Sequence, residues 1–245
     1  MPRMSRIVVA GLPHLVTHRG VRSTPIFRND KDRRLYLSLL REQAKRLGLK
    51  FEGWCLMVNR VYLVPIPADP DSLARGIGQA HRQYARARNL RKGVRGHLFQ
   101  GRFASCVLDE AHLARAVRHV ELSPVRAGLV DRPEDYRWSS ARFHLRKIKT
   151  DRLKTRKTAL RMVGDWTAFL RESTEKEAGE LELRVSTGRP WVIKSFLRRL
   201  EKSTRRRLTA GKPGWPKGKR RRLARKSSRD GPRPLRRPNA ARSGT

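Results

Sequence analysis

The order in which the hydrophobic period changes along residues 1–145 constrains this chain more than any single motif. Ile7-Val-Val-Ala10 and Leu15-Val-Thr-His18 are apolar runs of strand length. Leu35, Leu39, Leu40, Ala44 and Leu47 then recur at helical spacing. Asn29-Asp30 before them suits a side-chain cap, and Gly48 after them suits a helix stop. Phe51 to Val58 and Val61 to Ile66 return to strand, with Asn59-Arg60 at the turn or start of the second and Pro65 and Pro67 ending it. Asp71-Ser72 opens a helix with Leu73, Ile77, Ala80 and Tyr84 on one face. Leu98 to Leu108 is strand-like again, Phe103, Ser105 and Val107 alternating with Ala104 and Cys106. Asp109 caps a last helix carrying Leu113, Ala116, Val117 and Val120, and Ser123-Pro124 ends it because proline cannot continue the ladder. The order β-α-β-β-α-β-α predicts an α+β fold, a ferredoxin-like antiparallel sheet covered by helices.

Charge identifies the class of partner. The chain holds 59 Lys and Arg against 21 Asp and Glu, a net charge of +38 over 245 residues. Such an excess predicts a polyanion, above all nucleic acid. It is unevenly placed. Residues 203–245 contain 16 Lys or Arg, the single acid Asp230 and eight apolar residues. That composition cannot offset chain entropy, so the sequence predicts a disordered basic tail in which Lys217, Arg220, Arg221 and Arg222 condense on phosphates. Residues 146–202 read as a helical extension. Within it, Leu145 to Lys157 is a basic linker and Leu160 to Arg171 an amphipathic helix. Glu172 to Glu182 is the sole acidic block, and Trp191 to Leu200 a further short helix behind Thr187-Gly-Arg-Pro190. No run approaches the roughly 18 apolar residues of a membrane span. The stretch Ile7 to Leu12 is too short for a secretory core. Cys55 and Cys106 are too few for a disulfide scaffold or a cysteine-based zinc finger, so a reducing cytoplasm is expected.

Several strings together resemble the HUH single-tyrosine transposases, in particular the branch of REP-associated tyrosine transposases. They are Pro13-His14-Leu-Val-Thr-His-Arg-Gly20, Trp54-Cys-Leu-Met57 and His97-Leu-Phe-Gln-Gly-Arg-Phe103. Val120-Glu-Leu-Ser-Pro-Val-Arg-Ala-Gly-Leu-Val130 and Tyr136-Arg-Trp-Ser-Ser140 follow, and Thr187-Gly-Arg-Pro190 and Lys212-Pro-Gly-Trp-Pro-Lys217 extend the match. The resemblance implies a ferredoxin-like fold, a homodimer, and cleavage and rejoining of single-stranded or hairpin DNA. It further implies Mg²⁺ or Mn²⁺ on a His-hydrophobic-His strand and a helical tyrosine nucleophile with a polar residue one turn later.

This sequence departs from the pattern where the chemistry resides. The family strand Asn-His-Val-His-Leu is here Asn59-Arg60-Val61-Tyr62-Leu63. Arg60 has no lone pair for a metal, and the Tyr62 phenol is a poor ligand. The helix Arg-Tyr-Val-Glu-Leu-Asn-Pro is here Arg118-His119-Val120-Glu121-Leu122-Ser123-Pro124, so His119 stands at the nucleophile and Ser123 at the residue one turn on. With Arg60, Tyr62, His119 and Ser123 all substituted, no bound metal is expected and nicking is expected to be lost. Arg60 could then take a phosphate by its guanidinium fork, with Tyr62 stacking a base and His119 gaining charge below neutral pH.

Further contacts with DNA are expected from Arg19, from Arg102 in Gln100-Gly101-Arg102-Phe103, and from Arg82 and Arg86 on a flank shared with Arg88 and Arg91. Gly188-Arg189-Pro190 has the core of a minor-groove hook. Tyr36, Tyr84 and Tyr136 read as core, and His14 and His18 share one strand face without a third ligand. Two rival readings remain open. One is an active transposase using Tyr62 or Tyr84 as nucleophile; the other is a basic RNA-associated protein.

Overall fold

The computed structural model describes residues 6–209, and expectations placed on Lys217, Arg220, Arg221 and Arg222 lie outside them. Four strands form one antiparallel sheet: β1 (His14–Arg19), β2 (Lys50–Leu56), β3 (Arg60–Ile66) and β4 (Ala104–Val107). Their order is β2-β3-β1-β4. Thr17 of β1 lies opposite both Tyr62 of β3 and Ala104 of β4, so these three share one face.

Helices α1 (Asp30–Leu47) and α2 (Ser72–Lys92) cover the other face. Asn29 Oδ1 accepts from the Asp32 amide at 3.0 Å, and Gly48 closes α1 in the left-handed region at φ +65°. Leu40, Tyr36, Ile77 and Tyr84 pack there on Val16, Trp54 and Leu63. Burying such a side chain stabilises the fold by about 1.5–3 kcal/mol.

The Thr17–Tyr62 face is covered by α3 (Glu110–Glu121), the short α4 (Ser123–Arg126) and elements beyond them. These are α5 (Ala141–His144), α6 (Thr158–Val163), α7 (Trp166–Arg171) and α8 (Glu175–Thr187), while α9 (Lys194–Thr204) packs apart through Leu200 on Ile7, Val107 and Leu208. Leu15, Cys55, Val64 and Cys106 meet Val117, Leu160, Trp166 and Leu181 in this second core. Residues 146–209 therefore lie in one compact unit with residues 6–145.

At the end of α3, Glu121 is fully buried and closed on three donors. Ser140 Oγ and His144 Nδ1 each donate to Oε1 at 2.6 Å, and Trp166 Nε1 to Oε2 at 2.8 Å. Burial alone would lower the His144 pKa, but the Glu121 carboxylate outweighs it and the net shift is upward.

Six local expectations are corrected. Ile7 to Ala10 form no strand; Ile7 instead packs on Val107, Leu200 and Leu208. Pro65 lies inside β3, because β1 pairs with β3 only from Arg60 to Leu63 and the missing N–H costs no bond beyond. Residues 98–108 are interrupted at Gly101, whose φ of +61° turns the chain before β4. The helix expected from Leu160 to Arg171 is two, split at Gly164, with Asp165 capping the second by accepting from the Thr167 and Ala168 amides. The basic linker is packed rather than free: Leu153 and Thr155 are buried, and Asp151 accepts from Trp54 Nε1 at 2.6 Å. Residues 203 and 204 complete α9 and Leu208 is buried, so order continues past the expected start of the tail.

Both outer strands are met by non-strand chain. Phe51 O accepts from Arg156 N, Trp54 O from Ser140 N, and Leu56 N donates to Trp138 O along β2. Trp191 N donates to Val107 O along β4.

Candidate nucleic-acid interface

Arg60 and Tyr62, two apart on β3, point to the same side of the sheet. α3 brings His119 beside them, its ring centroid 5.9 Å from that of Tyr62. α8 then crosses over the group and inserts Glu182. Arg60 Nη1 donates to Tyr62 Oη at 2.9 Å and to the two Glu182 oxygens at 3.2 and 3.3 Å. Tyr62 Oη donates to Glu182 Oε1 at 3.0 Å. His119 Nε2 lies 3.4 Å from the same oxygen without hydrogen-bond alignment, and neither ring nitrogen has a hydrogen-bond partner. Ser123 Oγ donates back to His119 O at 2.9 Å, and Arg126 Nη2 donates to that carbonyl too.

Electrostatics follow from this packing. Burial would raise the Glu182 pKa, but His119, Arg60 and Tyr62 hold it at about 2. Burial raises the Tyr62 phenol to about 12, with Glu182 adding to the shift. Burial and the Arg126 and Arg60 charges lower the His119 pKa despite Glu182. The cluster at neutral pH is thus a carboxylate, a guanidinium, a neutral phenol and a neutral imidazole. Desolvation moves the step at which His119 gains charge further into acid than for an ordinary histidine.

The Arg60 charge is met inside the chain by Glu182 at 3.2 Å, in a pair that stays partly exposed. The donor set does not fit the divalent ion of the resembling family. Arg60 offers no lone pair, Tyr62 keeps its proton, and the one carboxylate is already ion-paired. Among the described residues no group of three or more His, Cys, Asp and Glu is placed to hold a metal. His14 and His18 are spent on their own partners. His14 Nδ1 donates to Leu12 O at 2.8 Å, and His18 Nε2 to Gly101 O at 3.1 Å.

Two cavities meet at the Arg60–Glu182 pair. The first, about 420 Å³, is lined by Tyr62, His119, Ser123 and Arg126. The second, about 330 Å³, is lined by Thr17, Arg19, Gln100, Arg102 and Ser186. Arg19, Arg60 and Arg102 are therefore brought together, with Arg19 Nε donating to Gln100 Oε1. Arg82 and Arg86 are not part of this group. They are exposed on α2, the helix that covers the opposite sheet face. The rest of that flank is structural: Arg88 donates to Pro25 O, and Arg91 pairs with Asp32 at 2.7 Å. The Gly188-Arg189-Pro190 string is a helix stop, Gly188 standing at φ +70° with its N–H on Arg184 O and Val185 O.

Tyr84 is fully buried and donates to Ile26 O at 2.8 Å, and Tyr136 donates to Leu56 O at 2.8 Å. Both cysteines are buried, which pushes their thiol pKa values up. Among the described residues no helix is long and apolar enough to cross a membrane. Glu182 and Arg126 are the residues that the sequence reading missed. The one available signal was the acidic block, in which Glu175, Gly179 and Glu182 fall on one helical face.

A solved structure of a REP-associated tyrosine transposase bound to a REP hairpin matches 60% of this chain and 87% of its own, with a TM-score of 0.52 and 14% identity. At that identity the likeness is one of fold. No family model and no curated protein matches the chain.

Proposed function

We propose that this chain is a DNA-binding protein on a transposase-like scaffold that engages single-stranded or hairpin DNA without cutting it. The observation that carries the reading is the fate of the substituted cleft. Arg60, Tyr62, His119 and Glu182 close on one another, while Arg19 and Arg102 border the same groove. A nucleophile needs a lowered pKa or an adjacent base, and Tyr62 has a phenol raised to about 12 that already donates to Glu182. Tyr84, the other candidate nucleophile, is enclosed in the opposite core. The net charge of +38 supports phosphate contact, and the solved neighbour of similar fold is bound to a REP hairpin. In this reading the basic segment with Lys217, Arg220, Arg221 and Arg222 adds affinity without sequence preference. The protein works as a homodimer in the cytoplasm, associated with the nucleoid.

The test mixes the full chain with labelled hairpin DNA, in Mn²⁺ or in EDTA. A native-gel shift that survives EDTA, with no covalent adduct on a denaturing gel, is expected. An Mn²⁺-dependent covalent band would sink the reading. Stronger competition by structured RNA than by hairpin DNA of equal length would move the partner to RNA.

A further inference from the structure

The packed basic segment after α5 forms a second cationic cavity, outside the cleft described above. α5 ends in a turn in which Lys147 N donates to Arg142 O at 2.8 Å and Arg146 stands at φ +57°. Glycine is the usual occupant of such a left-handed helix end, so a cation has been placed there at a backbone cost. The turn leads Lys149 round to face Lys157, Leu160 and Arg161. The resulting cavity, about 640 Å³, has the half-buried Ile148 and the edges of the buried Phe143 and Leu160 in its wall, with Arg146, Lys149, Lys157 and Arg161 around them. Lys157 Nζ lies 5.7 Å from the Phe143 ring centroid. Among the described residues none of these four cations has a carboxylate within ion-pair distance, whereas neighbouring Arg156 reaches Glu52 at 3.3 Å. Four unmatched like charges around one hollow favour an anion, and the apolar wall favours a ligand with a ring as well as a charge.

We propose that this cavity holds one unstacked nucleotide of a single-stranded DNA segment, its base against Ile148 and the edges of Phe143 and Leu160 and its phosphates among the cations. A bare phosphate would leave the apolar wall unused. The inference rests on the chain binding DNA at all, and the experiment separates the two claims. Affinity of the full chain is measured for a blunt hairpin and for the same hairpin carrying a short single-stranded thymine extension. The wild type is expected to prefer the extended form about ten-fold. The variant K149Q/K157Q/R161Q alters only exposed side chains, so it is expected to fold. It should lose that preference, and its log–log salt slope for the extended hairpin should fall by about two. Arg146→Gly gives a readout that a merely structural role cannot: Tm rises as the backbone relaxes, while binding of the extended hairpin weakens. Preference and slope unchanged in the triple variant overturn the proposal and leave DNA binding standing. A wild type that binds neither hairpin overturns both. Displacement of the extended strand by millimolar dAMP would assign the cavity to free nucleotides instead.

Discussion

Glu121 and Glu182 are both carboxylates drawn to a histidine, and burial makes them opposites. Glu121 is fully enclosed, with Ser140, His144 and Trp166 as donors, and links α3, α5 and α7. Glu182 stands in an open cleft with its side chain 40% exposed, facing Arg60, Tyr62 and His119. The first cannot be removed without stranding buried donors. The second is surrounded by groups that water and phosphate can also satisfy. An enclosed carboxylate fixes a fold, and an open one sets the charge of a surface.

Substitution separates the two most sharply. Glu121→Ala is expected to destabilise the protein by about 3–5 kcal/mol, the range for breaking a buried pair, read as a fall in thermal or urea midpoint. Glu182→Ala should cost at most about 1 kcal/mol, because its ion pair with Arg60 is solvent-screened. Equal losses from the two would erase the distinction. DNA affinity should sort them the other way. Glu182→Gln removes a negative charge beside Arg19, Arg60 and Arg102, so the hairpin complex should tighten several-fold and its salt slope steepen. Weaker binding by this variant would mean that Glu182 builds the interface instead of opposing it.

Acid and base test the comparison more gently. His144 has a raised pKa, so its contribution is complete below the ordinary histidine value of about 6.5 and is lost as pH rises through the raised value. Glu182 has a pKa lowered to about 2, so its contribution is present above the ordinary glutamate range and is lost as pH falls toward 2. Tm measured against pH should therefore show the wild type losing the Glu121 cluster from the alkaline side and the Glu182 cluster from the acid side. In Glu182→Gln only the acid-side loss should shrink. The smallest expected effect is on α2. Arg82→Gln with Arg86→Gln should change hairpin affinity less than Arg19→Gln with Arg102→Gln, because α2 lies behind the opposite sheet face. The reverse order would move the interface to α2.

The same contrast explains what could be read from the sequence. Strand and helix periods are local, so the sheet, α1, α2 and α3 were legible, down to the caps at Asn29 and Asp109. The family-like strings around the substituted positions were legible too, but their meaning changes. Glu121 and Ser140 are hydrogen-bonded to each other, and Trp138 Nε1 donates to Asp30 Oδ1 at 3.0 Å. Packing alone is reason enough for those residues to persist, so their presence is no argument for a working cleft. Glu182 was not legible as a site residue because it meets Arg60 across 122 residues of chain, and no local pattern encodes where α8 docks. Gly164 and Gly101 broke a helix and a strand that periodicity alone would have carried through.

The chain that runs along β2 and β4 bears on self-association. A sheet whose outer strands offered free N–H and C=O groups would be a template for a second molecule or for fibrils. Here residues 138–140 and Arg156 take up main-chain groups on one margin, and Trp191 does so on the other. Main-chain groups at Phe51, Trp54, Leu56 and Val107 are thus already spent inside the chain, which disfavours strand-to-strand pairing of two copies at those positions.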